Sequence, residues 1–361
     1  MQQPTSHRPM RALLALCLAI GLVAAACSGG TDSAEVDAPT TVTSAVDQVQ
    51  ADDDTDSSST TQAPVPGGPV APLTGLPVTE RLTYPALAVK IDNHPNARPQ
   101  TALDQADLVF EARAEGVTRF MAVFHSELPS PVGPVRSSRT TDFDLLRGLD
   151  RPLYSSSGGN DYVANGLRSL DVIEVTAISQ PSYFRDSSRS APHNLFVNAD
   201  DLYAAVGDDT DEPQPWFRYR AQDDELNASA VPTEGSVTVR YRGSPVVTHT
   251  WSAERGGWLR TQDGRPHTTV TGDQLAPENV VIMVATYRTS PADAASPELV
   301  SVGSGPAYVL TDGVVIEGTW SRPTANDKPE LLDVDGEPIL LTPGRTWVLY
   351  PEDGQVTVPG A

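Results

Sequence analysis

The amino-acid sequence predicts an α+β protein: a layered mixed α/β N-terminal domain over residues 72–206, then a smaller β-rich domain over 236–354. Three observations carry this. In the first region, period-two alternation of apolar residues is interleaved with helix-period stripes. In the second, short β-branched and aromatic runs follow one another with Asp-Gly turns between them. A polar stretch, GDDTDEPQPWFRYRAQDDELNASAVPTEG (207–235), separates the two and reads as an inter-domain linker.

The elements follow in order. LAVKID (87–92) is apolar enough for a buried strand, and Thr101 to Asp104 has the spacing of an N-cap and its acid, opening a short helix. In LVFEARAEGVTRFMAVFHS, Phe110, Ala112 and Ala114 alternate with Glu111, Arg113 and Glu115. After Gly116, Phe120, Ala122 and Phe124 alternate with Arg119, Met121, Val123 and His125. Period two on both sides of a glycine predicts a hairpin with one apolar face and one face of Glu and Arg. Next, Ser137 or Ser138 is placed to cap a helix from about Arg139 to Leu149, with Phe143, Leu145, Leu146 and Leu149 as its apolar stripe. RPLYSSS is a strand, GGN a turn, DYVANGLRSL a helix carrying Val163, Leu167 and Leu170, and DVIEVTA a further strand. Asn198 caps a last helix, ADDLYAAV, closed by Gly207. The second region contributes SVTVRYR, PVVTHTWSAE, GGWLRTQDG, NVVIMVATYR, PAYVLTDG, VVIEGTWSR and TWVLYPE as strands.

The N-terminus predicts the compartment. Arg8 and Arg11 precede an apolar run from Ala12 to Ala26, shorter than the roughly 20 residues a bilayer span requires. A basic start, a short apolar stretch and small residues make a secretory signal over 1–26. VAAACSGG resembles the bacterial lipoprotein box, which implies a lipid on Cys27 and a membrane anchor on the outer face of the cell membrane. The alternative is an ordinary signal cut near Ala26, giving a soluble secreted protein. Residues 27–71 are Asp, Ser, Thr, Ala and Pro, with no Lys or Arg from Arg11 to Arg81. Such a chain buries too little apolar surface to offset its ordering entropy, so a disordered tether is expected. As a flexible coil it reaches about 35–40 Å.

The only cysteines are Cys17 and Cys27, so beyond Cys27 there is no disulfide, catalytic thiol or cysteine metal site. A net charge of −22 without a basic stripe excludes nucleic acid as a partner. Of the 25 basic residues only Lys90 and Lys328 are lysine, so most cations are planar forks suited to carboxylate or phosphate.

Several motifs resemble one family in the same order: AVKIDNHPNARPQTALDQADLVFEARAEGVTRFMAVF, GPVRSSR and SYFRDSSRSAPHNLF, then GWLRTQDG, ENVVIM, GTWSRP and LTPGRTWV. They are similar to the YerB-like bacterial lipoproteins, which carry paired N- and C-terminal domains of unknown function. The resemblance implies the two-domain plan and brings no established activity.

Function is therefore argued from residues. GPVRSSRTTDFDLL (133–146) sets arginines just before a helix, where a partial positive charge favours acids. Arg136, Ser137, Ser138 and Arg139 thus make donors that converge on an anion. SSSGGNDY (155–162) offers a second turn of this kind. Arg98, Arg113 and Asn194, in the family-like motifs, complete the expected ligand-binding set. The alternative is internal: Arg136 and Arg139 pair with Glu111, Glu115 or Asp142. The expected role is a membrane-anchored binding or scaffolding module for an acidic ligand or protein partner, with peptidoglycan or a wall-synthesis protein as candidates. The competing reading is an envelope hydrolase using His193, oriented by Asp186, Glu111 or Glu115. A Glu111/Glu115 carboxylate pair is a third candidate, since both would face one way on a strand. No GxSxG, SxxK or HExxH pattern occurs. The histidines lack ligand spacing, so neither a metal nor a cofactor is expected. Trp251, Trp258, Trp320 and Trp347 are read as core aromatics, with sugar stacking as the alternative.

Overall fold

A β-strand in a hairpin buries either face depending on what covers it, and here both faces are covered. The computed structural model describes residues 68–177, 181–204, 212–221, 223–243 and 245–360. The signal, Cys27 and nearly all of the tether lie outside the described residues, as does Gly207. The last positions assigned to the tether belong to the fold: Val70 bridges Pro77 and Ala71 is buried.

The first region supplies β1 (Leu87–Ile91), β2 (Leu108–Arg113), β3 (Thr118–Phe124), α1 (Thr141–Arg147), β4 (Leu153–Ser156), α2 (Asp161–Arg168), β5 (Ile173–Thr176), β6 (Tyr183–Arg185), β7 (Leu195–Val197) and α3 (Ala199–Ala204). The second supplies β8 (Val231–Pro232), β9 (Ser236–Arg240), β10 (Val246–Ser252), β11 (Gly257–Gln262), β12 (Arg265–Pro266), β13 (Asn279–Met283), β14 (Thr286–Ser290), β15 (Asp293–Val300), β16 (Gly303–Thr311), β17 (Val314–Arg322), β18 (Glu330–Asp333), β19 (Thr346–Leu349) and β20 (Val356–Thr357). The protein is mostly sheet with few, short helices. The expectation of a layered α/β first domain therefore survives only in that coarser form.

One sheet runs through both regions in the order β18-β17-β16-β13-β19-β2-β3-β1-β4-β5, with β8 beside β17. The joint is β19, parallel both to β13 and to β2. A second sheet, β12-β11-β10-β9-β20, comes entirely from the second region. Two apolar clusters flank the main sheet. On one face Phe110 and Met121 pack with Leu145, Leu146 and Leu149 after β3, with Val163 and Leu167 of α2, and with Trp216. On the other, Val109, Phe120 and Trp347 pack with Val237, Val239, Val247 and Trp258 of the second sheet. Trp216 and Phe217, within the linker stretch, are buried in the first cluster.

The hairpin β2–β3 forms as predicted, but its register corrects the assignment of faces. Glu111 stands opposite Phe120 and Ala112 opposite Arg119, and directly opposed residues share a face. Each face therefore carries apolar and charged groups together. Helix α1 is shorter than predicted, and no side chain caps it. Instead the Asp142 carboxylate accepts the Arg139 N–H at 2.7 Å. Thr101–Asp104 gives only a single 3-10 turn, Leu103–Gln105, entered through Ala102 at φ 71°. Helix α2 forms where predicted, and Asn160, read as part of the turn, caps it by accepting from the Val163 N–H at 3.0 Å. Trp258, Trp320 and Trp347 are buried, which removes them from the sugar-stacking alternative; Trp251 packs on Trp258.

Gly318 in β17 lies so close to β18 that a Cβ built there would stand 2.0 Å from the Leu332 carbonyl oxygen. Gly318→Ala is expected to lose about 1–3 kcal/mol through forced strand separation. Thermal unfolding checks this, and an unchanged melting temperature would contradict the tight pairing.

Candidate functional site

The first region's short segments converge on Asp92, directly after β1 and fully buried. The chain at 133–139 runs beside the end of β1, with Val135 bridged to Ile91 and the Arg136 N–H donated to the Lys90 carbonyl at 2.8 Å. That register sets the Arg136 side chain against Asp92, its Nε 3.4 Å from Oδ2. The Val135 N–H is donated to the Leu195 carbonyl at 2.6 Å. This brings in His193, whose Nδ1 lies 2.7 Å from Asp92 Oδ2. From β3, Arg119 places Nη1 3.5 Å from Oδ1. The His94 N–H donates to Oδ1 at 3.0 Å, and the His94 ring stacks on His193 at 4.2 Å.

A second ring of charge surrounds this centre. Arg139 forks onto Glu115 at 2.6 and 3.2 Å, and Ser296 also donates to Glu115. Burial pushes the Glu115 carboxyl up, but Arg139 and Ser296 together hold it at about 2. Lys90 and Asp142, both buried, pair at 2.5 Å, and the Tyr154 hydroxyl donates to Asp142 at 3.1 Å. Burial lowers the Lys90 pKa against the pull of Asp142. It also lowers that of Arg119, helped by the neighbouring charge of Arg136. His94 is lowered by burial and by His193.

The expected ligand-binding residues divide sharply. Arg136 reaches the Asp92 centre and makes no side-chain hydrogen bond to a described residue. Arg139 is filled by Glu115. Ser137 pairs with Ser157 at 3.1 Å, and Ser138 Oγ lies 3.0 Å from the Tyr154 hydroxyl. Arg98 donates to Asn93 at 3.1 and 2.9 Å. Arg113 lies elsewhere, paired with Glu352 and over the Tyr287 ring. Asn194 accepts from Arg185 at 2.7 Å and donates to the Asp186 and Arg189 carbonyls, bracing the loop that carries His193. The turn at 155–162 is tied to the arginine segment through hydrogen bonds of Ser157 to Arg136 and of Ser138 to Gly158.

Neither glutamate forms a carboxylate pair with the other. Strand β2 ends at Arg113, so Glu115 lies in the turn. Glu111 is fully buried and held by Arg260 at 2.9 and 3.1 Å, Trp347 at 2.9 Å and Thr118 at 2.8 Å. The carboxylate that orients His193 is Asp92 and not Asp186, Glu111 or Glu115. Arg119 is the residue that sequence reasoning missed. Its one signal is a charge directly before the apolar run FMAVF, which alternation alone assigned to the face of Glu and Arg. Among the described residues, no three His, Cys, Asp or Glu side chains converge as a metal-holding group.

A family model described as "Protein of unknown function (DUF3048) N-terminal domain" matches residues 73–212. Its C-terminal counterpart matches residues 237–348. The chain is similar to the Bacillus subtilis (strain 168) protein named "Putative lipoprotein YerB", 30% identical over 293 residues, covering 77% of this chain and 85% of that protein. It also resembles the crystal structure of the YerB protein from Bacillus subtilis, with a TM-score of 0.69 at 27% identity over 80% of this chain and 99% of that one. With both models matched in order and a relative aligned along most of the length, the chain belongs to the YerB-like DUF3048 family.

Proposed function

We propose that this protein is a membrane-anchored envelope lipoprotein, held by a lipid on Cys27 at the outer face of the membrane. We further propose that the centre around Asp92 binds an acidic ligand, or an acidic group of peptidoglycan or of a wall-synthesis protein. The lipobox-like sequence and the relative's name support the first part. One observation carries the second: Arg119 and Arg136 meet Asp92, and Arg119 also Glu115, only at 3.4–3.7 Å and without a hydrogen bond to any described residue, although the Arg119 side chain is only 8% exposed. Removing a cation from water is costly unless partners replace the water. Buried donors left open are therefore the place where an external anion gains most.

A second reading rests on the His193–Asp92 contact. A carboxylate at 2.7 Å fixes the imidazole and leaves its other nitrogen for proton transfer, as a hydrolase would need. One experiment separates the two, using soluble purified wall fragments in equilibrium binding and turnover assays. Arg136→Ala is expected to weaken retention by about tenfold or more, the scale of a charged hydrogen bond, while His193→Ala retains the fragments. If the parent turns the fragments over and His193→Ala abolishes it, the hydrolase reading replaces the binding one. No retention by the parent would remove wall fragments as the ligand.

A further inference from the structure

Resting on the binding reading, we infer that the anion taken up beside Asp92 is a phosphoryl group rather than a carboxylate. Charge and donor geometry point the same way. The Arg139 fork is taken up by Glu115, and the charge of Lys90 by Asp142. Arg119 Nη2 also approaches Glu115 at 3.7 Å, so three guanidiniums, Arg119, Arg136 and Arg139, face two carboxylates, Asp92 and Glu115, and the centre carries an uncompensated positive charge. Asp92 does not saturate either fork. Its Oδ1 already accepts the His94 N–H and its Oδ2 lies on His193 Nδ1, while the arginines stay 3.5 and 3.4 Å away. Asp92 thus holds the forks in position without filling them.

The open donors are Arg119 Nε, Arg119 Nη1 and Arg136 Nε, all buried and without a hydrogen-bond partner among the described residues. They come from two separate segments, β3 and the stretch before α1. A carboxylate presents two oxygens in one plane, and its best match is a single fork, such as Arg139 supplies to Glu115 alongside Ser296. A phosphoryl group carries three acceptor oxygens that do not share a plane, so guanidiniums from two segments can donate to it together. The same chemistry arises from a soluble phosphomonoester and from a lipid phosphate.

Titration calorimetry on the folded chain tests this with inorganic phosphate and acetate as probes. Phosphate is expected to bind and acetate to bind at least tenfold more weakly. Arg136→Ala should lower phosphate affinity about tenfold or more. Arg119→Lys, which keeps the charge but removes the fork, should lower it too, and remains informative if Arg119→Ala does not fold. Acetate binding as tightly as phosphate would overturn the phosphoryl assignment and leave the acidic-ligand reading standing. Neither probe binding, or both variants binding like the parent, would overturn both. Glycerol phosphate and phosphatidylcholine vesicles carrying phosphatidic acid then tell the sources apart. Binding to either supports the assignment, and binding to neither counts against it.

Discussion

Glu111→Ala is expected to destabilise the protein by roughly 3–5 kcal/mol, the cost of leaving a buried charge without its partner. Glu111 and Arg260 are both wholly buried and meet between the two sheets. Arg260 also lies 4.6 Å from the Trp347 ring centre and donates to Gln262 at 2.9 Å. Arg260→Ala should cost a similar amount. The double variant Glu111→Leu/Arg260→Met should recover much of the loss, because two apolar side chains leave no charge behind. Denaturant midpoints measure this, and single variants as stable as the parent would show that the pair contributes nothing. The consequence reaches the site. Arg260 contacts His267, His267 Nε2 lies 2.8 Å from Gln100 Oε1, and Gln100 donates to the Asp92 carbonyl at 2.9 Å. Loss of Arg260 should therefore also loosen the backbone that positions Asp92.

Stability should fall as the pH drops below about 6.5. His249 and His267 are wholly buried, and burial, then the charge of Arg260, holds both well below the ordinary imidazole range. The unfolded chain takes up these two protons near pH 6.5, and the folded chain does so only much lower. Stability is thus full above pH 6.5 and lost below it. His125, lowered chiefly by burial, acts in the same direction. Asp107 opposes them: burial pushes its carboxyl up to about 6 despite donation from Ser126 and His125, so it favours the folded state as pH falls from 6 towards 3.8. Two histidine protons against one from Asp107 leave a slope of at least about 1.4 kcal/mol per pH unit between roughly 4.5 and 6. Below 4.5, Glu115 adds to the loss, since its folded value is about 2. His249→Leu, at a ring whose two nitrogens have no partner among the described residues, should flatten the slope by about one proton. Unfolding measured from pH 7.5 to 4.5 checks this, and a flat profile would overturn the assignment of the buried imidazoles as neutral.

Local signals told the elements apart because they act within a few residues. Alternation marked β2 and β3, the spacing of Val163, Leu167 and Leu170 marked α2, and Asp-Gly turns marked the second region. The motifs were specific enough to point to the family, and the misplaced arginines of GPVRSSR pointed to the segment beside Asp92. None of this depends on contacts between distant parts of the chain.

What only the tertiary structure decided is which charges cancel. Arg136 and Arg139 look alike in sequence, yet Glu115 fills one and leaves the other to Asp92. Glu111 looks like a catalytic carboxylate until Arg260, 149 positions later, closes over it. Arg119 looks like one more member of the hairpin's Glu and Arg face until the structure sets it against Asp92. Period two states that neighbours point to opposite faces, but not which face a facing strand shares or what layer covers it. A guanidinium is neutralised by whichever carboxylate the fold brings within a few ångströms, and that distance is set by long-range packing rather than by spacing along the chain.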